Sequence, residues 1–127
     1  MTVGIGVDIV DIDRIKQRIE AGTGFRDLVF SEEEITYCQA KANPYESYAA
    51  RFAAKEAFLK AVGCGIDFSI DFKEIRIANN EIGKPYFMVS EIVERFLIQQ
   101  LGFIPETQIS LSHSKQQAIA FVLFNKK

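Results

Sequence analysis

Along residues 3–10 the chain alternates. Val3, Ile5, Val7 and Ile9 share one face while Gly4, Gly6 and Asp8 share the other, the period-two pattern of a β-strand. The spacing then becomes helical: Ile12, Ile15 and Ile19 recur over residues 12–21, and Gly22 and Gly24 stop the run. Ser31 followed three places on by Glu34 has the form of a capping box and predicts a helix ending near Lys41. Asn43-Pro44 supplies a cap residue and a first-turn proline for a longer helix, running to about Val62 and stopped at Gly63. After a loop over residues 63–69, residues 72–78 alternate as a strand, Asn79-Asn80 turns the chain, and residues 84–89 return as its partner. Ser90 caps a helix to Leu101 that Gly102 closes. Residues 108–112 and 118–124 form two last strands joined by residues 113–117. The predicted class is α+β: a small, mostly antiparallel sheet packed with a long central helix.

No internal repeat, low-complexity tract or Pro/Gly/Ser linker divides the chain, so residues 1–127 are expected to form one domain. Charge narrows the functional classes. The formal net charge is −2, without the basic excess of a general nucleic-acid binder. No stretch approaches the roughly twenty apolar residues of a membrane span, and residues 1–4 do not begin a basic leader followed by an apolar run. Cys38 and Cys64 lie far apart and lack metal-type spacing; each is expected to be a buried hydrophobe in a reducing compartment. A cytoplasmic location is the expectation.

The candidate chemistry starts on the long helix. Tyr45, Tyr48, Phe52, Leu59 and Gly63 fall on one stripe, and Glu56 falls inside it. A carboxylate there needs a partner or a cation. Lys60, one turn on, offers an ordinary helix pair. Asp8 shares its strand face with Gly4 and Gly6, and glycine in a strand marks a close approach to the backbone. Asp8 could cap the following helix. If it converges with Glu56, the two carboxylates suit Mg²⁺, which takes one or two of them and completes its shell with water and phosphate oxygens. Gly83-Lys84-Pro85 combines a turn, a cation and a rigid exit, and Lys84 could also be merely solvated. His113, the only histidine, sits between Ser112 and Ser114 in a polar turn, where it could serve structure or bind a phosphate oxygen. Arg14, Lys16, Arg18 and Arg26 make an early basic strip, interrupted by Asp13, Glu20 and Asp27. That strip is either a solvated face or a docking site for an acidic partner.

Five segments carry a resemblance: Gly4-Ile5-Gly6-Val7-Asp8-Ile9, Phe30-Ser31-Glu32-Glu33-Glu34, the run from Arg51-Phe52-Ala53-Ala54-Lys55-Glu56 to Ala61, Gly83-Lys84-Pro85, and Ser110-Leu111-Ser112-His113-Ser114. In this order, and over essentially the whole chain, they resemble the holo-acyl-carrier-protein synthase family, the small 4′-phosphopantetheinyl transferases. The resemblance implies a homotrimer holding coenzyme A in clefts between subunits. It implies Mg²⁺ on Asp8 and Glu56, and Lys60 reaching the diphosphate. Arg51, Gly83, Lys84, Pro85, Ser112, His113 and Ser114 would bind the rest of coenzyme A, with Lys84 and the Ser112–Ser114 turn facing its 3′-phosphoadenosine end. Arg14 matches a position that contacts acyl carrier protein. The family's second basic position, just before Phe25, is Gly24 here, which leaves Arg18 and Arg26 as substitutes.

The implied activity moves the 4′-phosphopantetheine arm of coenzyme A to a serine of apo-acyl carrier protein, for fatty acid biosynthesis, and releases adenosine 3′,5′-bisphosphate. Glu56, or a metal-bound water it orients, is the expected base, with Asp8 and Lys60 completing the catalytic set. Two other functions use the same residues: a non-catalytic coenzyme A or nucleotide-binding module, and a Mg²⁺-dependent phosphoesterase that attacks with water.

Overall fold

A computed structural model describes residues 1–63 and 70–127. The expected loop at 63–69 and Cys64 therefore lie largely outside the described residues. The chain runs β1 (Thr2–Asp11), α1 (Ile12–Glu20), α2 (Phe25–Val29), α3 (Glu32–Gln39), α4 (Pro44–Val62), a 3-10 turn (Phe72–Glu74), β2 (Ile75–Asn79), β3 (Pro85–Val89), α5 (Glu91–Leu101), β4 (Glu106–His113) and β5 (Gln117–Asn125). The class is α+β, with two antiparallel sheets among the described residues: β1-β5-β4, and the β2-β3 hairpin. Among the described residues no helix is long and apolar enough to cross a membrane.

The local signals held where they were strongest. Ser31 Oγ accepts from Glu34 N and Glu34 Oε1 accepts from Ser31 N, which completes the capping box. Asn43 Oδ1 accepts from Tyr45 N, Pro44 opens α4, and Gly63 ends it at φ +90°. Two elements differ from expectation. The five-residue helix α2 was not anticipated, because a segment that short has no periodicity to detect. Residues 72–74 form a 3-10 turn before the strand rather than its first residues.

The α4 stripe also needs correction. From Tyr48 to Val62 every residue is buried except Glu56 and Lys60, so α4 has no polar outer face to set against an apolar stripe. It is enclosed by β1 and β5 on one side and by α1, α3, β2 and α5 on others. Its six alanines, Ala49, Ala50, Ala53, Ala54, Ala57 and Ala61, keep it slim enough for that position.

On β1 it is the glycine face that packs. A Cβ on Gly6 would fall on the Ala57 carbonyl, and one on Gly4 on the Ala61 carbonyl. Glycine at these positions lets the α4 backbone lie directly against the strand. The apolar side chains Ile5, Val7 and Ile9 point away and are exposed. Their cross-strand neighbours on β5 are Leu123, Phe121 and Ile119, and Phe121 and Ile119 are exposed too. Ala118, Ala120, Val122 and Phe124 alternate with them into the core.

Candidate active site

Because α4 rides on the glycine face of β1, the next residue on that face, Asp8, lies beside the last turns of the helix. Lys60 Nζ donates to Asp8 Oδ1 at 2.9 Å and to the Val7 carbonyl at 3.1 Å. Asp8 Oδ2 is buried without a hydrogen-bond partner. Asp8 does not cap α1, whose N-cap is Asp11. Nor does Lys60 pair with Glu56; its carboxylate partner is Asp8.

Glu56 is half-buried and opens with Asp8 into a cleft of about 430 Å³, walled also by Arg14, Arg18, Phe52 and Gln117. Burial raises the Glu56 pKa above the ordinary carboxylate range, and the Asp8 charge adds to the rise, while Lys60 and Arg18 oppose it. Two neighbouring carboxylates, one with an orphaned oxygen and the other reluctant to ionise, are suited to a hard divalent cation. Among the described residues no group of three or more His, Cys, Asp or Glu could enclose a metal. Such a cation would therefore complete its shell with water or phosphate oxygens, the usual habit of Mg²⁺.

The expected coenzyme A residues gather elsewhere. Arg51, Gly83, Lys84, Pro85 and His113 line a cleft of about 660 Å³ together with Tyr37, Lys41 and Glu46. It shares no lining residue with the carboxylate cleft. Arg51 is buried against the Tyr37 ring, its guanidinium 4.0 Å from the centroid. Its Nη2 donates to Asn79 Oδ1, and its Nε has no partner. His113 Nδ1 lies 3.5 Å from Glu46 Oε2. Ser112 and Ser114 do not line this cleft. Ser112 sits opposite Ile119 in the sheet, and Ser114 Oγ accepts from Gln116 N and Gln117 N, which builds the β4–β5 turn.

Of the expected docking residues, Arg14 and Arg18 edge the carboxylate cleft. Arg18 also stacks 4.6 Å from the Phe25 centroid. Arg26 lies outside that cleft and bonds its neighbour Asp27 at 3.2 Å. Sequence reasoning missed Tyr37 and Asn79, which approach Arg51 from other elements. It also missed Lys55, which is fully buried. Lys55 Nζ donates to Glu34 Oε1 at 2.8 Å, to the Phe72 carbonyl at 2.7 Å and to the Ile75 carbonyl at 2.9 Å. No local signal singled it out, since Lys60 on the same helix stays half-exposed.

Comparison with known proteins agrees along the whole chain. Residues 4–122 match the model of the 4′-phosphopantetheinyl transferase superfamily. A holo-[acyl-carrier-protein] synthase of Cytophaga hutchinsonii is 69% identical over 126 residues, covering 99% of each chain. The crystal structure of the holo-[acyl-carrier-protein] synthase of Neisseria meningitidis aligns at TM-score 0.87 with 35% identity, over 99% of this chain and 100% of that one. The Bacillus anthracis synthase, in complex with CoA (3′,5′-ADP), aligns at TM-score 0.81 with 32% identity, over 100% and 99%.

Proposed function

The chain belongs to the 4′-phosphopantetheinyl transferase superfamily, and from that premise we propose how its own residues carry out the reaction. The enzyme transfers phosphopantetheine from coenzyme A to apo-acyl carrier protein, as its relatives' names and the coenzyme A complex of a structural neighbour support. The acceptor is a serine hydroxyl. Its oxygen bonds to the β-phosphorus of coenzyme A, the bond to the bridging oxygen breaks, and adenosine 3′,5′-bisphosphate leaves. Residues 1–127 act as one transferase unit.

The observation that carries the residue-level reading is the orphaned Asp8 Oδ2 beside half-buried Glu56. Asp8 and Glu56 would hold Mg²⁺, which when bound would neutralise charge on the diphosphate. Lys60, held over Asp8 and half-exposed, is free to extend its ammonium to the same phosphates. Glu56, or a water it orients, accepts the serine proton. Arg51, Lys84 and His113 take the 3′-phosphoadenosine end in the cation cleft. Arg14 and Arg18, at the mouth of the carboxylate cleft, receive the acidic carrier.

Within one chain the two clefts are separate. The cation cleft instead continues, through shared Lys84, Pro85, Ile109 and Ser110, into a groove of about 840 Å³ walled by Phe121 and Leu123. These residues belong to the sheet carrying the exposed Ile5, Val7, Ile9, Ile119 and Phe121. An apolar patch of this kind marks an interface. It supports a homotrimer in which one subunit's carboxylates meet its neighbour's cations. A monomeric mass by light scattering at working concentration would remove that part of the proposal.

The reaction is placed in the cytoplasm, serving fatty acid biosynthesis. Cys38 fits that setting: it is a free, buried thiol whose pKa burial pushes up to about 12. Cell fractionation that found the chain elsewhere would overturn this placement. The direct test of the function is intact mass spectrometry of apo-acyl carrier protein after incubation with the enzyme, coenzyme A and Mg²⁺. A gain of one phosphopantetheine, lost on chelation, is expected. Coenzyme A hydrolysis without modified carrier would point to a phosphoesterase, and binding without turnover to a non-catalytic module. Arg14→Glu should weaken carrier binding and spare coenzyme A binding; equal loss of both would sink the docking role.

A further inference from the structure

Arg51 is a buried cation without a carboxylate. Its relative exposure is 3%, and among the described residues it has no ion pair. The aromatic face of Tyr37 and the side-chain oxygen of Asn79 hold it in place. The Asn79 amide is engaged at both ends, because its Nδ2 donates to the Gly83 carbonyl at 2.9 Å. The turn it grips is itself closed by Asn80. Asn80 Oδ1 accepts from Ile82 N and Lys84 N, and Asn80 N donates to the Lys84 carbonyl. A single amide thus links the guanidinium on α4 to the turn that carries Lys84.

We propose that Asn79 is a positioning residue for donor specificity: it fixes Arg51 against the Lys84 turn while leaving the guanidinium charge unneutralised for the donor's 3′-phosphate. A carboxylate at this place would hold Arg51 at least as firmly, but it would pair with the charge and compete with the phosphate. A neutral acceptor orients the cation without that competition. The unpartnered Nε of Arg51, in a cleft that Lys41, Lys84 and His113 also line, is the donor left over for an anion. Nothing in this role touches the phosphorus that reacts. The effect should therefore fall on which donor binds and not on how fast a bound donor reacts.

This inference rests on placing the 3′-phosphoadenosine end in the cation cleft, so the test includes a control for that placement. Affinities for coenzyme A and for 3′-dephospho-coenzyme A are measured by calorimetry on full-length wild type, Asn79→Asp, Asn79→Ala and Arg51→Ala, with kcat at saturating coenzyme A and thermal melting alongside. Asn79→Asp keeps an oxygen toward Arg51, so it tests charge competition even if Asn79→Ala folds poorly. The expected result for Asn79→Asp is a fall on the order of tenfold in the preference for coenzyme A over its dephospho form, with kcat little changed and a somewhat lower melting temperature, since a carboxylate cannot donate to the Gly83 carbonyl as the amide does. A wild-type preference in Asn79→Asp, with the preference lost in Arg51→Ala, overturns the role of Asn79 alone. A wild-type preference in Arg51→Ala overturns the placement of the 3′-phosphate itself.

Discussion

Helix α4 carries two lysines five residues apart, each paired with a carboxylate at almost the same distance, and the two pairs behave as opposites. Lys55 lies 2.8 Å from Glu34, with side-chain exposures of 0% and 1%. Lys60 lies 2.9 Å from Asp8, with exposures of 52% and 12%. The buried pair is saturated. Lys55 has three acceptors, and both Glu34 oxygens are used, Oε1 by Lys55 and Ser31 N, Oε2 by Ile77 N. It joins α3, α4, the 3-10 turn and β2 at one point. The exposed pair is left incomplete, with one Asp8 oxygen unpartnered and Glu56 alongside. Saturation marks a structural joint, and incompleteness marks a place where something else binds.

The largest effect should come from breaking the saturated pair. Burial pulls the Lys55 pKa below its ordinary value, while the Glu34 charge pushes it back up; the ammonium is thus costly to bury and dependent on its partner. Lys55→Met strands a buried carboxylate and leaves two backbone carbonyls without their donor. It should cost about 3–5 kcal/mol in urea unfolding. Adding Glu34→Gln removes the stranded charge, and the double variant should recover about 1–3 kcal/mol relative to the summed single losses. A Lys55→Met loss below about 1 kcal/mol would mean that the joint is not an organising contact.

Breaking the incomplete pair should reverse the balance between stability and activity. Asp8→Asn keeps an oxygen for Lys60 and replaces the unpartnered one, so the change in stability should stay within about 0.5 kcal/mol. Transfer should fall about 10²–10³-fold, the scale of losing one preorganised electrostatic group. The neighbouring negative charge also goes, which moves the Glu56 pKa back down toward the ordinary range. Mg²⁺ in the presence of coenzyme A should raise the melting temperature of the wild type and not that of the variant. A variant that melted early, with turnover preserved, would place Asp8 in the scaffold.

The contrast also explains what could be read from sequence. Caps, stops and turns were legible because their causes are local: Ser31 with Glu34, Asn43-Pro44, and Asn79-Asn80 with Gly83 all act within a few residues. Which face of β1 packs was not fixed by alternation, since a strand with two apolar-tolerant faces can bury either. Only the glycines pointed to a close neighbour, and that neighbour is the α4 backbone. The two lysines could not be told apart, because burial depends on elements distant in sequence that close over Lys55 and leave Lys60 open. Asp8 and Glu56 line one cleft, which meets the condition under which two carboxylates suit a divalent cation. Tyr37 and Asn79 went unseen because their meaning depends on Arg51, which reaches them only in the fold.

A similarly small effect on stability, and the sharpest on interpretation, should come from Lys60. Its ammonium is half-exposed, so water and salt screen the pair, and Lys60→Gln should change stability by about 0–1 kcal/mol. Its consequence for the site runs in two directions. Removing the ammonium frees Asp8 Oδ1 as well as Oδ2 and leaves the two carboxylates without their nearest counter-charge. Mg²⁺ should then bind the free enzyme more tightly, while transfer slows because a cation has been taken from the diphosphate. Calorimetric titration of Mg²⁺ without coenzyme A, set against turnover at saturating donor, separates the two effects. Tighter metal with slower transfer makes Lys60 a counter-charge that yields to the metal and then serves the substrate. Weaker metal would mean that Lys60 holds Asp8 in shape, and the two pairs on α4 would then differ in burial but not in kind.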